Sequence, residues 1–187
     1  LMAVKETLHG AKEKMEKSLA VVDHEFQSVR TGKASTALVE NIQVTAYGTK
    51  MRMRDLAGIT TPESRLIVIQ PFDASNIVPI EKALAESNLG LTPRVDGKIL
   101  RLSIPELSED RRKELDKVIK KMAEDGRVAI RQVRREAIEE LKKLGKDGGV
   151  SEDEVKSGEK DIQKLTDATI VKIDQLLQLK EKDIMHI

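Results

Sequence analysis

The strongest constraint on the fold is the spacing of apolar residues, which recur every three or four positions along three long segments of the chain. In the first segment they are Val4, Leu8, Ala11, Met15, Leu19, Val22, Phe26 and Val29. This spacing places them on one face of an α-helix of about seven turns. Gly32 follows and predicts the end of that helix.

A second stripe of the same kind lies in the later part of the chain. Its members are Leu115, Ile119, Met122, Gly126, Ile130, Val133, Ala137, Leu141 and Leu144. Ser108 is a suitable N-cap, and Glu109 and Asp110 follow it where the helix dipole favours anions. The pattern predicts a helix from about Glu109 to Leu144, roughly 50 Å long. Gly126 lies on the stripe and would let a neighbouring helix approach closely.

A third, more polar stripe follows a glycine-rich turn at residues 145–149. It runs through Val155, Gly158, Ile162, Leu165, Thr169, Ile173 and Leu176. Ser151 and Glu154 stand three residues apart, as in a capping box. Helices of this length and charge need partners for their apolar faces. We therefore predict an elongated three-helix bundle formed by residues 1–30 and 106–187.

Composition limits the class of protein. Charged residues make up 35% of the chain, and the only aromatic residues are Phe26, Tyr47 and Phe72, so the core must be aliphatic. The absence of cysteine excludes disulfides, thiolate metal sites and a cysteine nucleophile. No apolar run approaches the ~20 residues of a membrane helix, and the first residues lack the apolar core of a secretory signal. We expect a cytoplasmic protein without membrane contact.

Between the first and second helices the apolar period changes. Residues 42–47 alternate as a half-buried strand does, and residues 65–70 predict a second strand that ends at Pro71. Residues 76–87 predict a short helix. Asp96-Gly97 predicts a hairpin turn between two further strands, at residues 93–95 and 98–104. The fold class is therefore α+β, with a small α/β domain of residues 31–105 inserted into the bundle.

The chain passes twice between the two predicted domains, near Gly32 and near Pro105. The residues of these crossings are Thr31, Gly32, Lys33, Ile104, Pro105 and Glu106. Glycine permits unusual dihedral angles and proline removes a hydrogen-bond donor. Two short adjacent crossings make a hinge, although a fixed pair of connections is an equally good interpretation of the residues alone.

Four arginines lie close together on the second helix, while the whole chain carries a formal net charge of only +1. They are Arg127, Arg131, Arg134 and Arg135. On a helical wheel they fall between about 40° and 140° from Ile130, along one flank of the apolar stripe. The acids of the same stretch fall on the other flank, except Glu124 at the end of the arginine band.

Two interpretations of this band are open. A solvated face paired with acids of the third helix is the simpler one, since residues 150–187 carry nine acidic and six basic residues. An RNA-binding face is favoured by the use of arginine alone, because its planar fork suits phosphate. Segregation of basic residues in a nearly neutral protein is also typical of a polyanion site.

Residues suited to catalysis are scarce. The three histidines are His9, His24 and His186, and no P-loop, GxSxG or HExxH motif is present. His9 and Glu13 could meet on a helix, but two ligands do not make a metal site. We predict that the protein is not an enzyme and binds no cofactor or metal.

Several motifs together resemble the ribosome recycling factor family over essentially the whole chain. They are residues 30–34, 42–48, 86–91, 104–112, 127–135, 150–154 and 163–167. Each is weak alone, but their order and spacing are specific. Asp110 stands where the family more often has glutamate, and Lys33 where arginine is also common.

This resemblance implies an L-shaped molecule in which a hinge joins a three-helix rod to a compact α/β domain. It implies a factor that binds the post-termination ribosome, with the rod across large-subunit RNA. Elongation factor G and GTP then separate the subunits and release messenger and transfer RNA. The family positions matching Arg30, Arg131 and Arg134 face ribosomal RNA. We add Arg127 and Arg135 to this predicted RNA contact, and we expect a monomer.

A translation factor is the leading hypothesis, and an adaptor that docks partner helices is the alternative. The adaptor would self-associate and show little dependence on salt, whereas RNA binding through arginines weakens as salt rises.

Overall fold

The computed structural model of the protein describes residues 2–185, which form two compact units. The first contains the chain up to Arg30 together with Glu109–Met185, and the second is Thr31–Ser108. Residues 106–108, predicted as part of the bundle, thus group with the second unit. Residue 1 and residues 186–187, which the predicted bundle also included, lie outside the described part of the chain.

Five helices and six strands occur in the described chain, with short 3-10 turns at Thr36–Leu38 and Ala74–Asn76. The helices are α1 (Met2–Ser28), α2 (Met53–Leu56), α3 (Ile77–Glu86), α4 (Glu109–Lys146) and α5 (Glu152–Met185). The strands are β1 (Gln43–Ala46), β2 (Thr49–Arg52), β3 (Ala57–Glu63), β4 (Leu66–Pro71), β5 (Pro93–Asp96) and β6 (Ile99–Ser103).

The first unit is a bundle of α1, α4 and α5, as the three apolar stripes predict. The Thr7 hydroxyl of α1 donates to Glu140 of α4 at 3.0 Å, and further along the pair Val22 packs against Gly126. Residue numbers therefore rise on α1 as they fall on α4, so the two helices are antiparallel. The residues fully enclosed between the helices include Met15, Ile119, Ile130, Leu141 and Ile162.

Glycines on the stripes set how closely the helices approach. A Cβ on Gly126 would overlap the Val22 side chain and lie 3.3 Å from Ile173 Cδ1. A Cβ on Gly158 would lie 3.0 Å from Leu141 Cδ1 and 3.2 Å from Val4 Cγ1. The prediction that Gly126 permits close packing is confirmed.

Buried threonines extend the buried faces of α1 and α5 beyond the predicted apolar stripes. Thr7 is buried on α1 and Thr166 on α5, and neither belongs to an apolar repeat. Thr166 donates its hydroxyl to the Ile162 carbonyl and Thr169 to the Leu165 carbonyl, each at 2.8 Å. These bonds to the preceding turn satisfy the hydroxyls, so threonine can enter an apolar interface.

Helix α5 begins as the capping pattern predicts. The Ser151 hydroxyl oxygen accepts a hydrogen bond from the Glu154 backbone N–H at 3.2 Å. Three acidic residues, Glu152, Asp153 and Glu154, occupy the first turn, where they complement the helix dipole.

The second unit contains a four-stranded antiparallel sheet in the order β3-β4-β6-β5 and a separate hairpin of β1 and β2. Alternate residues of the central strands, such as Ile67, Ile69, Leu100 and Leu102, are fully buried. Together with Ile80 of α3 they form the hydrophobic core of the second unit.

The second unit has two two-residue hairpin loops, and one of them differs from the predicted turn. Asp96 pairs with Ile99, so the β5–β6 loop is Gly97-Lys98 rather than the predicted Asp96-Gly97. Ala46 pairs with Thr49, which makes Tyr47-Gly48 the other loop. The φ angles of Tyr47 and Gly48 are 53° and 77°, and a type I′ turn requires positive φ at both of these positions.

The apolar spacing predicts no element in residues 50–64, where the structure has β2, α2 and β3. Strand β2 is largely exposed, so it lacks the alternation that marks a half-buried strand. Strand β3 contains Gly58 and Pro62, which weaken any strand pattern. Proline is tolerated here because β3 lies at the edge of the sheet and its register shifts between Thr60 and Glu63.

The chain segments at the domain crossings make a few specific contacts within the second unit, although Lys33, Pro105 and Glu106 are exposed. Thr31 is buried, and Gly32 has a φ of 78°. A Cβ on Gly32 would lie 3.4 Å from Leu107 Cγ, so the two crossings contact each other. The Ile104 amide donates to the Arg65 carbonyl at 2.8 Å, and Arg65 pairs with Glu106 at 3.4 Å. A hinge at these residues stays a prediction.

Candidate nucleic-acid interface

The arginines of α4 lie on the side of the helix that meets α5. Arg127 contacts Asp174 and Arg134 contacts Gln163, both residues of α5. Spacings of three and four residues keep these side chains on one flank, because each helical turn takes 3.6 residues. The four arginines therefore lie along one flank of α4, as predicted, but each has different hydrogen-bond partners.

Arg127 is largely enclosed, with only 20% of its side chain exposed. Its Nε and Nη2 donate to Asp174 Oδ1 at 3.0 and 2.6 Å, and its Nη1 donates to Glu124 Oε2 at 3.1 Å. The bond to Asp174 is the main cause that raises the pKa of Arg127, with Glu124 adding to it. This guanidinium links α4 to α5 through Asp174, and its predicted RNA contact stays a prediction.

Glu124 is shared between two arginines. Its Oε1 accepts from Arg131 Nη1 at 3.1 Å, while its other oxygen accepts from Arg127. The hydrogen bond from Arg131, then that from Arg127, lowers the pKa of Glu124. The carboxylate is therefore ionised at neutral pH and offsets part of the positive charge at this end of the band. Arg131 itself keeps 49% of its side chain exposed.

Arg134 and Arg135 have neutral partners. Arg134 Nε donates to Gln163 Oε1 at 2.6 Å, and Arg135 Nη2 donates to Gln132 Oε1 at 2.8 Å. Amide oxygens orient a guanidinium without cancelling its charge. These two residues, together with the exposed part of Arg131, form what we call the arginine face: Arg131, Arg134 and Arg135.

Acidic residues occupy the opposite flank of α4, toward α1. Glu140 accepts a hydrogen bond from Thr7 of α1, and Glu136 accepts one from Gln132 Nε2 at 3.1 Å. Glu136 and Glu140 line a shallow depression between α1 and α4 together with Lys14. Between residues 127 and 140, α4 thus separates its charges, with Glu136 and Glu140 toward α1 and Arg127 and Arg134 toward α5.

Arg30 lies just beyond the end of α1 and is exposed. Among the described residues, no hydrogen bond or ion pair to its guanidinium occurs. The antiparallel contacts of α1 with α4 place residue 30 near the level of residue 118, roughly 20 Å along the bundle from Arg131 at 1.5 Å per residue. Arg30 is thus a separate basic position of the first unit.

Two partners of the α4 arginines escaped the sequence reasoning. Asp174 and Gln163 lie on α5, 47 and 29 positions from their arginine partners. The count of charged residues shows that the third helix is acidic, but it does not show which acidic residue pairs with which arginine. Gln163 also donates to Asp167 at 2.9 Å, which fixes the side of the amide that faces Arg134.

The histidines build no catalytic or metal site in the described chain. His9 Nε2 lies 3.1 Å from Glu13 Oε1, and both side chains are mostly exposed. His24 is exposed as well, and His186 lies outside the described residues. Within residues 2–185 no group of three or more acids and histidines could hold a metal ion, and no helix is long and apolar enough to span a membrane.

Comparison with known proteins gives this geometry a context. The family model described as ribosome recycling factor matches residues 22–185, most of the bundle and all of the second unit. The chain belongs to the ribosome recycling factor family. The ribosome-recycling factor of Bacillus subtilis is 47% identical over 183 residues, covering 98% of this chain and 99% of the relative. That of Thermosynechococcus vestitus is 51% identical over 180 residues, covering 96% and 99%.

Solved structures of the family share the fold. A solution structure of a ribosome recycling factor superposes with a TM-score of 0.71 at 41% identity, covering 98% of both chains. A second match has a TM-score of 0.61 at 44% identity and covers 97% of this chain and 98% of the other. It comes from models of the T. thermophilus ribosome recycling factor and the E. coli elongation factor G bound to the E. coli post-termination complex. The ribosome recycling factor fold is thereby confirmed, whereas the roles of individual arginines stay predictions.

Proposed function

We propose that this protein recycles ribosomes after termination. It binds the post-termination complex and, together with elongation factor G and GTP, separates the subunits so that messenger and transfer RNA are released. Membership of the ribosome recycling factor family supports the ribosomal role. The related T. thermophilus factor, bound with elongation factor G to a post-termination complex, supports the partner. The protein acts in the cytoplasm, as a monomer and without catalysing a covalent step.

In this proposal the arginine face binds the phosphates of large-subunit RNA. Arg134 and Arg135 keep their full charge beside neutral amides, and Arg131 is half exposed. Phosphate oxygens accept paired N–H donors from guanidinium groups, so Arg134 and Arg135 can exchange an amide partner for an RNA backbone. Arg30 would add a second contact near the end of α1.

Arg127 supports this contact from behind. Its ion pair with Asp174 holds α4 against α5, and the second pair, with Glu124 of α4 itself, further limits its freedom to reach a ligand. It was included among the predicted RNA-binding residues, and we now propose that it positions the arginine face rather than touching RNA.

The second unit provides the moving part in this proposal. Anchored by its bundle, the protein transmits the push of elongation factor G through a hinge at Thr31, Gly32, Lys33, Ile104, Pro105 and Glu106. Short paired crossings are suited to such a rotation because a few residues can absorb it.

A reconstituted splitting reaction tests the proposed function. Post-termination ribosomes are mixed with the protein, elongation factor G and GTP, and subunit separation is followed by light scattering. Separation should require all three additions. An intact ribosome signal with every component present would contradict the proposal. Sedimentation of the protein with large subunits provides the matching binding measurement.

A further inference from the structure

Two of the chain's three aromatic residues lie on the surface of the second unit. Tyr47 is 66% exposed and Phe72 75% exposed, and Val78 of α3 is 73% exposed. Single exposed apolar residues are ordinary, but aromatic side chains grouped together are typical of protein interfaces. The remaining aromatic residue, Phe26, is buried in the bundle.

A hydrogen-bonded group connects Tyr47 to Asp73 and Asn76, and Phe72 and Val78 stand close to these residues along the chain. The Tyr47 hydroxyl donates to Asp73 Oδ2 at 2.8 Å and accepts from Asn76 Nδ2 at 3.0 Å. Asp73 follows Phe72 directly, and Val78 lies in the first turn of α3 just after Asn76. We call this surface the aromatic cluster: Tyr47, Phe72, Asp73 and Val78.

The backbone at Tyr47 is unusual. Its φ of 53° makes it the one non-glycine residue with a positive φ among residues 2–185. The first position of a type I′ turn favours Asn, Asp or Gly, so tyrosine is poorly suited to it. A strained position that fixes an exposed ring and its hydroxyl is typical of a binding surface.

The charge of the cluster indicates the kind of ligand. Asp73 accepts hydrogen bonds from the Ser75 backbone N–H at 3.0 Å and from Tyr47, and these lower the pKa of its carboxyl group. The carboxylate is therefore ionised at neutral pH and is hydrogen-bonded to the Tyr47 hydroxyl. Aromatic faces and a carboxylate both attract a cation, whereas an RNA phosphate beside Asp73 would be repelled.

We propose that the aromatic cluster binds an arginine or lysine side chain on the surface of a basic protein partner. The cation pairs with Asp73 and lies against the ring of Tyr47. Phe72 and Val78 contact apolar side chains of the same partner segment. This site would give the second unit a protein contact that is chemically opposite to the RNA contact of the arginine face.

A peptide titration tests the chemistry without a ribosome. The isotopically labelled full chain is titrated with a short arginine-containing peptide, with the same peptide carrying neutral citrulline, and with oligouridine. The arginine peptide should shift the ring signals of Tyr47 and Phe72 and bind at least about threefold more tightly than the citrulline peptide. Equal binding of both peptides, or ring shifts from oligouridine alone, would overturn the proposal.

Matched variants locate the contact. Asp73→Asn keeps an oxygen for the Ser75 N–H but removes the charge, so it should lower arginine-peptide affinity to that of the citrulline peptide. Tyr47→Phe keeps the ring but frees Asp73 from the hydroxyl. Leu179→Ala, at an exposed position of α5, is the control and should change nothing. Unchanged binding by Asp73→Asn would contradict the proposal.

Crosslinking places the contact in its working context. With p-benzoylphenylalanine replacing Phe72, irradiation on post-termination ribosomes with elongation factor G should yield a crosslink to a protein segment containing arginine or lysine. A crosslink to RNA, or none at this position while the protein remains bound, would overturn the proposal. Loss of ribosome binding itself would instead contradict the proposed function, so the two failures are distinguishable.

Discussion

Arg134 sits at the boundary between the core and the solvent, with its Nε bonded to a glutamine rather than a carboxylate. Removing its guanidinium leaves no buried charge behind, because Gln163 also donates to Asp167 and stays partly exposed. The residue is therefore suited to testing RNA contact apart from folding.

We expect Arg134→Ala to weaken large-subunit binding without unfolding the bundle. The slope of log K against log salt should become shallower by about 1, the share of one phosphate contact. Ribosome titrations at low and moderate salt measure both quantities. Arg127→Ala is the matched contrast, because it removes the partner of Asp174. It should lower the free energy of unfolding of the bundle by about 1–2 kcal/mol, a modest cost because Asp174 is half exposed to water. Equal binding by Arg134→Ala and wild type would contradict the RNA contact.

Glu124 restrains the arginine face, and its removal should strengthen RNA binding. In Glu124→Gln, Arg131 loses a carboxylate partner, so we expect tighter large-subunit binding, by a few-fold at low salt, with less gain at high salt. The same titration measures it.

The pH dependence of Glu124 follows from its lowered pKa. Its contribution to stability is fully present above the ordinary glutamate pKa and is lost as pH falls through the lowered value in the folded state. Acid unfolding of the wild type and of Glu124→Gln should therefore converge at low pH. A difference that widens as pH falls would be inconsistent with this assignment.

At the scale of elements, the helices were predictable because their apolar residues repeat over many turns. The repeat identified α1, α4 and α5 and the close approach at Gly126. It could not identify β2 or β3, whose residues alternate weakly and include Pro62. The partners of the arginines could not be predicted either. Asp174 is 47 residues from Arg127 in the sequence, and the pairing depends on how α4 packs against α5.

The helix contact at Gly126 yields a test with an internal control. We expect Gly126→Ala to destabilise the bundle by about 1–3 kcal/mol, because its Cβ would overlap Val22, despite a gain of about 1 kcal/mol in helix propensity. Gly10→Ala on α1 meets nothing within 4 Å and should stabilise by up to about 1 kcal/mol. Urea unfolding followed by circular dichroism compares the two. A stabilised Gly126→Ala would show that α1 can shift away from α4.

At the scale of the whole molecule, the proposed hinge needs a direct measurement. Replacing Gly32 by proline would not simply stiffen the crossing, because proline requires a φ near −65° and Gly32 has 78°. The absence of cysteine offers a cleaner approach, since two introduced cysteines become unique labelling sites.

We expect dyes at Val128→Cys in the bundle and Val95→Cys in the second unit to change their energy transfer when elongation factor G and GTP are added to ribosome-bound protein. Both positions are exposed, at 49% and 44%. A control pair at Val128→Cys and Val21→Cys, both in the bundle, should give constant transfer. Subunit splitting with constant transfer in the first pair would rule out the hinge motion.

The division of charge across α4 has a consequence for the approach to the ribosome. With a net charge of only +1, the protein experiences little overall pull from a polyanion. Carboxylates on one flank and guanidinium groups on the other nevertheless form a transverse dipole, on which the field of the RNA exerts a torque. The molecule would therefore be rotated into alignment before it touches its target, so that few collisions are wasted on the wrong side.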